Sequence, residues 1–146
     1  MLNTVQFIAT LCCTLFAGAA IYISLVEHPA RMGCDTQTAA TVWAPSYKRG
    51  ALMQAPLAVL SFVAGVTAWL LDGGIIWLVP AALVGLVVPF TLIAITPTNH
   101  QLLASGRDLA SVETRSLLER WGRLHAIRSV LGLTAAILYV LLLLGT

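Results

Sequence analysis

Trp121, His125 and Arg128 lie four and three residues apart. On a helix those intervals place all three on one stripe. The stripe would carry a flat aromatic wall, an imidazole that exchanges protons near neutral pH, and a fixed cation. Gly132 and Ala135 continue it, and small residues there point it at protein rather than lipid. Other polar residues flank the apolar runs: Glu27, His28 and Arg31, then Trp43, Tyr47, Lys48, Arg49 and Gln54, then Asn99 and His100. With His125 on the stripe, His28 and His100 complete the three histidines of the chain. His28, His100, His125 and Glu27 are also of metal-ligating type. No pair of histidines stands four apart, however, and no His-Glu-x-x-His motif is present.

The elements that must bring these groups together are apolar. Of 146 residues, 59% are hydrophobic and 10% charged, against about 25% charged in an average soluble domain. A chain this short has too little interior to hide so much apolar surface from water. Its solvent is therefore expected to be a lipid bilayer. The net charge of +2 gives no reason to expect a nucleic-acid partner. Cys12 and Cys13 are adjacent within an apolar run and Cys34 stands alone, so neither a disulfide framework nor a zinc ribbon is indicated.

Residues 1–26, 50–71, 73–106 and 129–146 contain no Asp, Glu, Lys or Arg. About 20 apolar residues at a rise of about 1.5 Å cross the hydrocarbon core. Spans are expected near 5–26, 51–71, 74–96 and 127–145. Ala17-Gly18-Ala19 looks like a signal-peptide cleavage site, but no basic residue precedes it and the apolar run continues to Val26, so a retained helix is expected. Every Lys and Arg falls in 27–50 or 97–128, and the short turn between the second and third spans holds only Asp72. The positive-inside rule makes stretches 27–50 and 97–126 cytoplasmic loops and puts both termini outside. Trp69 and Trp77 then stand at the outer edge as interfacial anchors.

The predicted fold is all-α. It is an integral membrane four-helix bundle, a single domain over 1–146, whose long fourth helix projects into the cytoplasm. That helix is expected from about 109 to 144, roughly 54 Å. Two capping boxes could start it, Ser105-Gly106-Arg107-Asp108 or Ser116-Leu117-Leu118-Glu119. Gly18, Gly65, Gly85 and Gly132 are candidates for close helix contact. Glu27-His28-Pro29 and Pro97-Thr98-Asn99-His100 end the first and third spans alike, so the bundle reads as two parallel helix hairpins that duplication could have produced.

Five strings stand in order along the chain: Tyr22-x4-Glu27-His28-Pro29-x-Arg31, Trp43-x-Pro45-x-Tyr47-x-Arg49-Gly50, Gln54, Pro97-Thr98-Asn99-x2-Leu102 and Trp121-x3-His125-x2-Arg128. Together they resemble the anthrone-oxygenase-like family of small four-span membrane proteins, many of whose bacterial members have no known function. The resemblance implies oxidation of a hydrophobic phenolic or anthrone-like aromatic by dioxygen, within a membrane expected to be the bacterial inner membrane. It implies no particular cofactor. Such a reaction starts with loss of a carbon-bound proton, and the enolate formed reacts with dioxygen. His125 suits the base, with His28 the alternative and Glu27 its orienting carboxylate. Arg128 suits the anion, with Arg49, Gln54, Asn99 and Arg31 as further polar contacts. Trp121, Trp43 and Tyr47 suit the walls of a flat slot.

Two other readings stay open. One is a redox protein holding haem or a metal ion through His28, His100, His125 and Glu27. The other is a non-catalytic ligand-binding or accessory membrane subunit; a transport path is poorly supported by the sparse Ser61, Thr67 and Thr91. Self-association into a homo-oligomer is compatible with a bundle this small.

Overall fold

The computed structural model describes residues 1–145, which are helical almost throughout. Four helices are long and apolar enough to cross a membrane: Leu2–Met32, Thr36–Gly73, Ile75–Leu102 and Val112–Leu144. The first joins α1 (Leu2–Tyr22) to α2 (His28–Met32) through a π-helical turn, Ile23–Glu27. After a short break comes α3 (Thr36–Ala68). The third joins α4 (Leu78–Phe90) to α5 (Thr96–Leu102) through another π turn, Thr91–Ile95. The fourth is the unbroken α6 (Val112–Leu144), whose 33 residues extend about 50 Å.

Two helix hairpins are thus present, and each carries a π turn just before its polar string is reached: Ile23–Glu27 ahead of His28, Thr91–Ile95 ahead of Asn99. A π turn closes its hydrogen bonds over five residues instead of four. It rotates whatever follows, so α2 and α5 present their polar residues in a different phase from the apolar helices that lead to them.

Several expectations need correction. Segment 27–50 is mostly helix, not loop: α2 extends the first helix, and α3 begins at Thr36. Asp35 starts α3 by accepting from the Thr38 backbone N–H at 3.0 Å and the Thr38 hydroxyl at 2.7 Å. Those two bonds, the hydroxyl first, hold the Asp35 carboxyl below the usual carboxylate range. Neither expected capping box begins α6. Ser111 does, accepting from the Thr114 N–H at 3.1 Å while the Thr114 hydroxyl donates to the Asp108 carbonyl. Ser111 has no acidic residue at its third following position, so the capping-box pattern passes over it. Trp77 is not an interfacial anchor. It is buried against Tyr139, with ring centroids 5.6 Å apart.

Small residues dominate the core: Ala9, Cys13, Ala17, Ala20, Ala58, Ala81, Ala135 and Ala136 are buried together. In hydrocarbon there is no hydrophobic drive between helices, and small side chains let backbones approach closely. The large core rings lie where glycine makes room. Phe16 covers Gly132, and the Tyr139 hydroxyl occupies the space a side chain at Gly65 would need. Gly85 faces Phe62, but Gly18 has nothing within 4 Å and mediates no such contact. Leu60, Val63, Leu86, Leu92, Ile93, Val130 and Leu141 are exposed on the outside. So apolar an exterior is unfavourable in water and favourable in lipid.

The two ends of the bundle differ. At one, Asp72 (φ 65°) and Gly74 (φ 90°) reverse the chain between the second and third helices. A Cβ on Gly73 would lie 3.1 Å from Leu2, so this turn sits beside the N-terminus. At the other, Arg115 of α6 donates to the Cys34 carbonyl at 3.1 Å, tying the two basic segments together.

Candidate functional site

The polar residues singled out above do not form one cluster. They divide among a cavity, an outer groove and a buried aromatic layer.

The cavity, about 160 Å³, lies between α3 and the α4–π segment, with α6 behind. Tyr47 and Gln54 of α3 line it, as do Trp121, His125 and Arg128 of α6. The helical stripe therefore holds. Its remaining walls are small or apolar, among them Gly50, Ala51, Ala55, Val87 and Ile95. Val88 and Leu92 also line it while being exposed on the outer face, so the cavity reaches the bundle exterior between α3 and α4.

Arg128 is held from two sides. Its Nη2 donates to Gln54 Oε1 at 2.7 Å, and its guanidinium carbon lies 5.1 Å from the centre of the Phe16 ring. Nε is buried without a hydrogen-bond partner. Among the described residues no carboxylate pairs with Arg128. A half-buried guanidinium met only by a neutral amide and an aromatic face keeps its positive charge available to an anionic ligand.

His125 is 2% exposed and stacks on Trp121, with centroids 4.8 Å apart and planes at 26°. Its Nδ1 lies 3.0 Å from the Ser24 hydroxyl. Behind the cavity is the aromatic layer. Trp43 stacks on Tyr47 at 5.1 Å and 3°, and meets Trp121 edge-on at 5.8 Å and 83°. His28 leans on Trp121 at 5.1 Å, and its Nδ1 is buried without a partner. Gly122 makes room for this ring: a side chain there would collide with the His28 imidazole. Trp43 and Trp121 are both buried, but only Trp121 lines the cavity; Trp43 lies behind it.

The other candidates lie elsewhere. Glu27 accepts from Arg31 and from Ser46, so it braces α2 against α3 rather than orienting His28. Arg31 Nη2 also lies 3.2 Å from Ser46 Oγ. Arg49 is exposed and shares the outer groove with Glu27. Asn99 is buried on α5 with both amide atoms unpartnered and does not line the cavity. His100 is exposed, which removes it from the set expected to ligate a metal with His28, His125 and Glu27. Among the described residues no three His, Cys, Asp or Glu side chains are placed to hold an ion together. Ser24, Ser46 and Ser129 were missed. Only Ser129 carried a signal, four residues after His125 on the same stripe.

Fold and site thus define a small helical protein with four membrane-crossing-length helices and one largely apolar cavity where an imidazole and an unpaired guanidinium meet. A model of the anthrone oxygenase family matches residues 43–138, and the chain belongs to that family. It is 32% identical over 126 residues to an anthrone oxygenase of Pestalotiopsis fici, covering 73% of this chain and 85% of that one. An anthrone oxygenase of Aspergillus fumigatus is 28% identical over 143 residues, 91% of this chain and 89% of its own. One of Claviceps purpurea is 29% identical over 136 residues, 84% and 78% of the two chains. No solved structure matches. The family match includes Tyr47, Gln54, Trp121, His125 and Arg128 of the cavity and begins after His28.

Proposed function

We propose that this protein is a membrane-embedded oxygenase of hydrophobic phenolic or anthrone-like aromatics, and that His125 starts the reaction by removing a carbon-bound proton. One observation carries the reading: His125 and the unpaired Arg128 line the same apolar-walled cavity as Trp121 and Tyr47. A flat fused ring suits those walls. Its carbonyl oxygen suits Arg128, whose buried Nε has no partner in the protein.

The chemistry balances with dioxygen as sole oxidant. His125 takes one proton from the methylene carbon, and the carbonyl becomes an enolate held by Arg128. The enolate carbon bonds to dioxygen, and the returning proton completes a hydroperoxide. Loss of the second hydrogen from that carbon as a proton breaks the O–O bond and leaves a new carbonyl. Each substrate consumes one dioxygen and releases one water, so no external reductant is needed. Gln54 fixes the guanidinium, and the mouth flanked by Val88 and Leu92 suits a substrate arriving from lipid.

The basic end of the bundle is assigned to the cytoplasm and both termini to the opposite side, on the asymmetry of Lys and Arg. The cavity then lies near the cytoplasmic edge of the bilayer. Purified protein in detergent should consume dioxygen and form quinone when supplied with anthrone, and His125→Ala should abolish this while remaining folded by circular dichroism and gel filtration. Unchanged turnover in that variant would remove His125 from the mechanism.

A further inference from the structure

Behind His125, away from the cavity, runs a short chain of hydroxyls whose proton direction is fixed by its far end. Ser24 Oγ, in the first π turn, lies 3.0 Å from His125 Nδ1 and 2.8 Å from Ser129 Oγ. Ser129 Oγ in turn lies 3.0 Å from the Ala20 carbonyl oxygen and 3.0 Å from the His125 carbonyl oxygen. It also lies 3.5 Å from His125 Nδ1, at the limit of a hydrogen bond. Ala20 and Ser24 belong to the first long helix and His125 and Ser129 to the last, so the chain crosses their interface.

Carbonyl oxygens only accept, and each serine hydroxyl has one proton to give. Ser129 spends its proton on a carbonyl. Towards Ser24 it can then only accept, so the Ser24 proton goes to Ser129. With that proton spent, Ser24 can only accept from His125, which places a hydrogen on Nδ1. In the opposite direction Ser24 would donate to Nδ1 and Ser129 to Ser24. Both carbonyl contacts of Ser129 would then be oxygen against oxygen with no proton between them, in a site where Ser129 is 5% exposed and bulk water is remote.

We propose that Ser24 and Ser129 are positioning residues that hold His125 as its Nδ1–H tautomer, leaving the Nε2 lone pair as the proton acceptor of the cavity. Free neutral histidine favours the other tautomer, so the hydroxyl chain does work that the isolated ring would not. The arrangement also suits turnover. When Nε2 takes a proton, Nδ1–H still donates to Ser24, and no link of the chain has to reverse. The π turn explains how Ser24 comes to be there, since it sets the phase in which the end of the first helix faces α6.

This inference rests on the assignment of His125 as base, but it can be tested without turnover. Protein labelled with 15N-histidine would be studied in detergent micelles at pH 8 by long-range 1H–15N correlation. His28→Gln and His100→Gln variants assign the three rings. The expected spectrum shows His125 protonated at Nδ1. Ser24→Ala should move it toward the Nε2–H form and lower kcat at least about 10-fold with little change in KM, and Ser24→Thr, which keeps a hydroxyl, should restore both. Should Ser129 take over at its longer distance, the Ser24→Ala/Ser129→Ala double variant must still lose the Nδ1–H form. An Nε2–H ring in the wild type, or an Nδ1–H ring that persists in the double variant, overturns the proposal. Failure of the base assignment itself would show differently, as full activity in His125→Ala.

Discussion

Gln54→Glu tests the electrostatic core of the site with one atom changed. Gln54 Oε1 already lies 2.7 Å from Arg128 Nη2, so a carboxylate can take the same position and volume. The wild-type amide leaves the guanidinium charge uncompensated, whereas the carboxylate would neutralise it and form a part-buried ion pair. If the enolate oxygen is held by another edge of the same guanidinium, about 6 Å from the new carboxylate, their repulsion at an effective dielectric of about 20 is about 2.8 kcal/mol. That corresponds to a fall in kcat/KM of about 100-fold. The fold should not suffer, because the substitution gives a half-buried cation a partner. Initial rates of quinone formation at several anthrone concentrations give kcat/KM, and thermal unfolding in the same detergent gives stability. A variant as stable as wild type with kcat/KM within about threefold of it would refute the idea that Arg128 acts on a developing negative charge.

The glycines of the core give a paired test of packing. Gly132→Ala places a Cβ 2.6 Å from the ring of Phe16, which itself underlies Arg128, so it should lower stability by about 1–3 kcal/mol and reduce activity. Gly18→Ala meets nothing within 4 Å and should melt like wild type; equal melting of the two variants would contradict this packing. Orientation is open to cysteine labelling. With Cys12 and Cys13 replaced, a membrane-impermeant maleimide added to intact cells should modify Asp72→Cys and spare Cys34, and the reverse pattern would invert the assigned topology.

What could be read from sequence follows from how local each signal is. The alignment of Trp121, His125 and Arg128 depends only on helical spacing within one element, and the cavity contains all three. The four long apolar helices are legible for the same reason. Contacts between elements were not. Glu27 stands beside His28 in sequence, yet it bonds to Arg31 and Ser46, because the π turn and the return of α3 decide what it meets. Ser24 is a polar residue in an apolar run, and only the packing of the first helix on α6 gives it His125 as a partner. Trp77 matched an interfacial anchor by position in the chain, but the turn at Asp72–Gly74 folds it inward onto Tyr139. His100 shares a residue type with His125 and no surroundings: one is exposed, the other buried against Trp121. The stretch 27–50 looked like a loop because it is polar, although most of it continues the helices on either side.

The claim that the reaction begins with proton removal by His125 can be separated from everything that follows by withholding oxygen. Wild-type protein incubated anaerobically with anthrone in deuterated buffer should exchange the methylene hydrogens for deuterium faster than buffer alone, as read by mass spectrometry of the recovered substrate, and His125→Gln should return exchange to the buffer rate. Quinone formation in air by a wild-type protein that does not accelerate this exchange, or exchange that survives intact in His125→Gln, would contradict the account.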